Sequence, residues 1–264
     1  MSTANIKKPQ NKTLEDIKNY WNARSQSYSD LNNKELQGFK FQAWEELIKA
    51  NVPIKEGMKV LDCGCGPGFF SILLCKLGCK VTSVDYSDDM LQRARVNTED
   101  YLSDNKPEFF KMDAQNLDFK DESFDLVISR NLTWNLPNPP KAYEEWLRVL
   151  KKGGTLLVFD GNWYLHLSDE EQKQKYEATK AKLESLGLEN HMTKTKDGVD
   201  TRIMEDIARG LFFSYYKRPQ WDKQFFQDKG LRVMVDEDIA RRIYDDLELL
   251  TYDFSLPFMI KVTK

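Results

Sequence analysis

Long apolar runs are missing from this chain of 264 residues. The longest, residues 69–75, is far short of the ~20 residues that cross a bilayer, so no membrane partner is expected. Charge of one sign is missing too. There are 39 Lys and Arg against 42 Asp and Glu, a formal net charge of −3. Without a basic field no nucleic-acid partner is expected, although a local basic patch is not excluded. Cysteine is scarce: Cys63, Cys65, Cys75 and Cys79 are all there are, too few for a disulfide scaffold. A cytosolic chain keeps such thiols reduced. No second pair with zinc spacing accompanies them, so no metal is expected. Residues 1–22 are polar and lack the apolar segment of a secretory signal, which makes the cytoplasm the expected location. Histidine occurs only twice, at His166 and His191, and there is no internal repeat or low-complexity tract.

What is present is the composition of a globular enzyme-sized chain. Hydrophobic residues make up 41% and aromatic ones 12%, enough for a large core and an aromatic pocket besides. The length lies between one and two domains. Residues 13–50 have helical spacing, with Ile17, Tyr20 and Trp21 on one face and Phe41, Trp44, Leu47 and Ile48 on another. From 58 to 160 strands alternate with helices. Strands are expected at 58–62, 80–85, 108–112, 124–129 and 155–160. Helices are expected at 69–77, stopped by Gly78, after Ser87 as a cap, and from Pro140. Apolar strands in this alternation predict a doubly wound, mostly parallel α/β sheet covered on both faces. Residues 1–53 then read as an N-terminal helical cap, 54–160 as the α/β core, 161–230 as a helical lid insertion, and 231–264 as strands completing the sheet.

The most informative segment is Val60-Leu61-Asp62-Cys63-Gly64-Cys65-Gly66-Pro67-Gly68-Phe69. A strand ends, three glycines alternate and a helix begins. Glycine permits positive φ and close approach of a ligand to backbone, and the first strand–helix turn of an open α/β sheet is a usual ligand site. The dinucleotide pattern fails, because Phe69 occupies its third small position. A P-loop fails for want of Gly-Lys-Ser/Thr. A plain Rossmann dehydrogenase is therefore disfavoured.

Asp62-x-Gly64-x-Gly66-x-Gly68 after an apolar strand resembles motif I of the class I S-adenosylmethionine-dependent methyltransferases. Asp85-Tyr86-Ser87-x-x-Met90-Leu91-x-x-Ala94 is similar to the family's second-strand segment. Asp113-Ala114, Ser123-Phe124-Asp125-x-Val127 and Leu150-Lys151-x-Gly153-Gly154 resemble its later motifs, in order. The resemblance covers residues 14–160 well and the C-terminal strands loosely. It implies a seven-stranded Rossmann-like sheet and S-adenosyl-L-methionine as cofactor, with S-adenosyl-L-homocysteine as product. Asp85 would accept both ribose hydroxyls, with Tyr86 beside it, and Met90 would pack on the adenine. Asp113 and Ala114 would meet the adenine edge. Gly64, Cys65, Gly66 and Gly68 would lie along the ribose and methionine portion, and Asp62 would help the amino group or order the loop. Tyr20-Trp21-x-x-Arg24-x-x-x-Tyr28 also looks like an N-terminal segment of small-molecule members, which makes Tyr28 a cofactor contact or, equally, a core residue. Arg130 joins the cofactor candidates, with a substrate acid group or a loop carbonyl as alternatives.

Displacement from a sulfonium releases a neutral leaving group, so alignment and desolvation carry the reaction and a base is needed only if the acceptor must lose a proton. Asn131 and Trp134, after the fourth strand, and Trp163 and Tyr164, after the fifth, are the candidate substrate contacts. His166 is the candidate general base, against a packing or capping role. Residues 161–230 balance 12 Lys and Arg with 12 Asp and Glu. That balance suits a small organic methyl acceptor, although rings such as Phe212, Phe213, Tyr215, Tyr216, Trp221, Phe225 and Phe226 also suit a core. The expected activity is methyl transfer to a small molecule under an aromatic lid. RNA or protein methylation, or non-catalytic cofactor binding for regulation, are the alternatives. Acceptor and oligomeric state are not legible.

Overall fold

The computed structural model describes residues 14–188 and 198–264. Two helices open it, α1 (Leu14–Gln37) and α2 (Phe39–Asn51), followed by β1 (Lys59–Cys63), α3 (Phe69–Lys76), β2 (Lys80–Asp85), α4 (Asp88–Tyr101) and β3 (Glu108–Lys111). Then come β4 (Phe124–Arg130), α5 (Pro139–Val149), β5 (Leu150–Asp160), α6 (Glu170–Ser185), α7 (Arg202–Ala208) and α8 (Gln220–Asp228). The chain ends with β6 (Arg232–Asp236), α9 (Ala240–Ile243), α10 (Asp246–Thr251) and β7 (Phe258–Thr263). Among the described residues no helix is long and apolar enough to cross a membrane.

The seven strands form one sheet in the order β3-β2-β1-β4-β5-β7-β6. The first five are parallel, and β7 runs antiparallel to both β5 and β6. This is the doubly wound, mostly parallel sheet expected. Its strands are apolar on both faces because both are covered. Val60, Leu126, Ile128, Leu157 and Phe159 face one core with Trp44, Ile48 and Ile72. Leu61, Val127, Leu156, Val158 and Ile260 face the other with Tyr143, Trp146 and Phe226. Strand order reverses between β1 and β4, and ligands of such sheets sit in the crevice at the carboxyl ends of the strands there. Asp62, Asp85, Arg130 and Asp160 all stand at or beside those ends.

The helix starts follow from local chemistry. The Ser87 hydroxyl accepts the Met90 N–H and Asn138 accepts that of Lys141, so each caps its helix. Residues 161–230 do not stay together as a lid. α7 packs with Ile17 and Tyr20 of α1 and with Trp134 above the strand ends. The rings Phe212, Phe213, Tyr216, Trp221, Phe225 and Phe226 instead join the second face of the sheet, around Tyr143. Residues 231–264 are not all strand either. Asp245 and Glu248 make a reciprocal capping box that starts α10 between the two last strands.

Candidate functional site

The turn after β1 is shaped by backbone that other residues rarely adopt. Gly64 and Gly66 have φ of +67° and +52°. A Cβ on Gly64 would stand 2.7 Å from Leu132 Cδ2, and one on Gly66 would meet the Tyr28 ring at 3.7 Å. The N–H groups of Gly64 and Cys65 both donate to Val84 O, which pins the turn to β2. One cavity lies against this turn. Of the candidate cofactor residues, Tyr28, Asp62, Gly64, Cys65, Gly66, Asp85, Tyr86, Met90, Asp113, Ala114 and Arg130 line it. Gly68 does not. It is the left-handed cap of α3, and Ala94 Cβ lies 3.3 Å from where its own Cβ would stand, so its smallness serves helix packing. α1 forms the roof of this cavity through Ile17, Lys18, Trp21 and Asn32.

The carboxylates on this wall differ in state. Asp85 Oδ2 accepts the Gly66 N–H and Oδ1 accepts the Ser87 N–H, both at 2.9 Å. Burial pushes its pKa up, against the pull of those donors. Asp62 is 2% exposed. The Ser71 hydroxyl donates to it at 2.7 Å. Burial raises its pKa to about 7, opposed by Ser71 and Arg130. Asp113 Oδ1 accepts the Gln115 N–H and side-chain amide. The Tyr86 hydroxyl turns away to Glu15 on α1. Among the described residues, two buried polar atoms on this wall lack a partner, Asn135 Oδ1 and the Trp21 indole N–H. Asn135 stands with Leu136, Met112 and Ala114 on the wall. An acceptor amid apolar groups there suits a flat heterocycle bearing an amino group.

A second, larger cavity of about 290 Å³ adjoins the first. Trp21, Tyr28, Asn32, Arg130 and Asn131 line both. The four candidate substrate residues Asn131, Trp134, Trp163 and Tyr164 lie on its wall, as does His166. Asn131 is held at φ +55°, and its carbonyl accepts the Trp134 indole N–H. Trp134 stacks on Tyr164 at 5.2 Å. The His166 ring stacks on Tyr176 with centroids 4.1 Å apart and planes nearly parallel. Its Nδ1 is buried without a partner among the described residues. Burial lowers its pKa, so the ring is neutral near pH 7. His166 is absent from the wall of the first cavity. Trp134 and Tyr164 intervene in the row of rings between it and Trp21. His191 lies outside the described residues.

Sequence reasoning missed the charged floor of this chamber. Arg130 donates to Glu35 at 2.9 Å, Lys40 to Glu35 at 3.1 Å, and Lys40 also to Glu248. The Arg130 guanidinium lies over Phe69 at 4.4 Å and near Phe70 and Trp44. Four elements, α1, β4, α10 and the start of α2, are thus tied by one ionic chain. Separations of 95 residues for Arg130–Glu35 and 208 for Lys40–Glu248 hide those two links from spacing arguments. The capping box at Asp245 and Glu248 was its only local signal. Asp160 is a second such case. Buried at the end of β5, it accepts from Thr133, the Trp134 and Gly161 N–H groups, the Trp163 indole and Arg218. Arg218 also binds Asp222 and Tyr143, all within the core.

Known proteins with this arrangement bear on its use. A family model described as a methyltransferase domain matches residues 61–158. The sterol 24-C-methyltransferase of Clavispora lusitaniae is 30% identical over 197 residues, 74% of this chain and 46% of that protein. The phosphatidylethanolamine N-methyltransferase of Cereibacter sphaeroides is 38% identical over 102 residues, 39% of this chain and 50% of that one. Such matches span about half the length of these curated relatives. The fold is shared with a SAM-dependent methyltransferase of Aquifex aeolicus, at a TM-score of 0.53 and 20% identity over 87% of this chain and 92% of that one. The glycine turn at the switch point and the ordered motifs that follow it fall within residues 61–158, which match a methyltransferase domain, and this part of the chain is similar to the class I S-adenosylmethionine-dependent methyltransferases.

Proposed function

We propose that this protein transfers a methyl group from S-adenosylmethionine to a small organic acceptor, with the cofactor in the first cavity and the acceptor in the second. The observation that carries the reading is the shared wall. Trp21, Tyr28, Asn32, Arg130 and Asn131 border both spaces, so a group at the end of one ligand can face the other without crossing solvent. When bound, the cofactor supplies a methyl group on a sulfonium that leaves as a neutral thioether. Asp85 would exchange its backbone donors for the ribose hydroxyls, and Met90, Met112, Ala114 and Leu136 would pack on the base, with Asn135 accepting from its amino group. Asp62 would face the methionyl ammonium and Arg130 the methionyl carboxylate. Rings at Trp21 and Tyr28 would exclude water from the point of transfer, which raises the value of alignment. The sterol and phosphatidylethanolamine methyltransferases named above support an organic acceptor rather than a nucleic acid or protein.

Calorimetry with S-adenosylhomocysteine tests this directly. The wild-type chain should bind it, and Asp85→Ala should weaken binding by about thirtyfold or more through loss of charge-assisted bonds. Asp85→Asn keeps one acceptor oxygen, enough for the Gly66 or the Ser87 N–H but not both, and should disturb the turn less than Asp85→Ala yet bind nearly as poorly. Unchanged affinity in both variants would refute the assignment.

A further inference from the structure

We propose that the acceptor is an amine, and that the Asn131 carboxamide at the border of the two cavities accepts a hydrogen bond from its N–H and aims the nitrogen lone pair at the methyl group. This rests on the methyltransferase reading and adds the acceptor atom to it.

Asn131 directly follows β4 with φ of +55°, a left-handed conformation that side-chain-bearing residues seldom adopt. Its backbone is fixed from two directions. Its N–H donates to Phe159 O at 2.8 Å, and its carbonyl accepts the Trp134 indole N–H at 3.0 Å. Those bonds hold the turn without help from the side chain. Among the described residues the Asn131 carboxamide makes no hydrogen bond, and unlike Asn135 Oδ1 its oxygen is not sealed from solvent. Asn131 lines both cavities. A strained residue with an open, unengaged polar group at a ligand boundary points to a ligand.

The groups around that boundary select the nucleophile. Trp21, Tyr28, Asn32, Arg130 and Asn131 border both spaces, and none is a carboxylate or an imidazole. His166 lines the larger cavity alone. A guanidinium keeps its protons, and a hydroxyl or a carboxamide shares hydrogen bonds without taking a proton away. An alcohol or a thiol has to lose its proton as it attacks, so this boundary serves it poorly. An amine needs no base. Its lone pair forms the new C–N bond, the C–S electron pair leaves with the thioether sulfur, and the product ammonium keeps its proton until it reaches water. The amine has to enter uncharged. Glu35 and Glu248 are held by Arg130 and Lys40, and Glu205 by Arg209. No chamber carboxylate is therefore left over to stabilise an ammonium, and burial beside a sulfonium favours the neutral amine. A carbon nucleophile without an N–H gives Asn131 no partner.

Three ligands of the cofactor site differ at one point. S-adenosylhomocysteine carries nothing where the methyl sits, S-adenosylmethionine carries a methyl on a positive sulfur, and sinefungin carries an amine with N–H donors. Calorimetry on the full chain should give sinefungin an affinity at least about fivefold tighter than that of S-adenosylmethionine. Asn131→Gly keeps the left-handed backbone and should bring that preference within about twofold. Asn131→Asp, which still accepts, should retain or raise it. A preference that is absent in wild type, or that survives Asn131→Gly, overturns the role of Asn131. The acceptor atom is read with methyl-labelled S-adenosylmethionine and millimolar 2-phenylethylamine, 2-phenylethanol or 2-phenylethanethiol, which share one body. Transfer to the amine should exceed transfer to the other two by at least about tenfold, and Asn131→Gly should lower it by about tenfold. Equal or faster transfer to the alcohol or the thiol, or transfer to none of the three, overturns the amine assignment. Each of these outcomes leaves the methyltransferase reading intact as long as S-adenosylhomocysteine binds. Failure of S-adenosylhomocysteine to bind refutes both.

Discussion

With Asp62 beside the ligand ammonium, as proposed, cofactor binding should be a proton-releasing event. The Asp62 carboxyl is buried at the end of β1, and desolvation raises its pKa to about 7. At pH 6 about nine in ten molecules then hold the proton, and at pH 8 about one in ten. A ligand ammonium beside it favours the charged form and returns the pKa toward the ordinary range near 4. Binding therefore expels about 0.9 proton at pH 6 and about 0.1 at pH 8. The linked affinity for S-adenosylhomocysteine should be about tenfold weaker at pH 6 than at pH 8. Titrations in phosphate and in imidazole, whose ionisation enthalpies differ, give the proton count directly. The ligand's own amine titrates near pH 8 and weakens binding above that point in any variant. Asp62→Asn keeps a partner for Ser71 but cannot ionise, so it isolates the carboxyl's share. If the variant shows the same proton release as wild type at pH 6, the argument is wrong.

The same shift fixes a sign for stability. A carboxyl whose pKa is raised on folding stabilises most below its unfolded pKa of about 4, and that contribution is lost as pH rises through 7. Without ligand, Asp62→Asn should therefore gain on wild type between pH 4 and 7, by up to about 4 kcal/mol, and hold that advantage above pH 7. Cofactor affinity and apo stability thus change in opposite directions over one pH window, as expected of a group kept in an unfavourable state until its ligand arrives.

Two further outcomes follow from geometry. Gly64→Ala places a Cβ 2.7 Å from Leu132 at φ +67° and should cost about 1–3 kcal/mol in denaturant melts, with loss of S-adenosylhomocysteine binding. Adding Leu132→Ala should relieve the contact but not the backbone strain, and full recovery would show that φ is unimportant there. Arg218→Met leaves Asp160 and Asp222 buried without their cation and should cost about 3–5 kcal/mol. A loss below about 1 kcal/mol would mean that those carboxyls are protonated or hydrated instead.

Legibility in the sequence followed distance along the chain. The glycine turn, Asp85 and the Ser87 cap were readable because each places its chemistry within a few residues of a strand end, where backbone constraint and side-chain identity coincide. The parallel sheet was readable for the same reason, through apolar strands such as 124–130. The chamber floor was not. Glu35 and Lys40 sit on polar helical stretches and, read locally, belong to a solvated face. Only when α1 and α2 fold over Arg130 and α10 brings up Glu248 do they become a buried chain. The aromatic residues misled in the opposite way. Trp221 and Phe226 share the composition of a lid with Trp163 and Tyr164, yet α8 carries the former pair to the far face of the sheet around Tyr143. On the proposed reading, cofactor recognition would depend on short motifs fixed by the sheet, and acceptor recognition on elements converging from positions 20, 134, 166 and 244 around the larger cavity. Substitutions on those converging elements could therefore change the acceptor without disturbing the glycine turn, and a chain like this one reveals its cofactor long before its substrate.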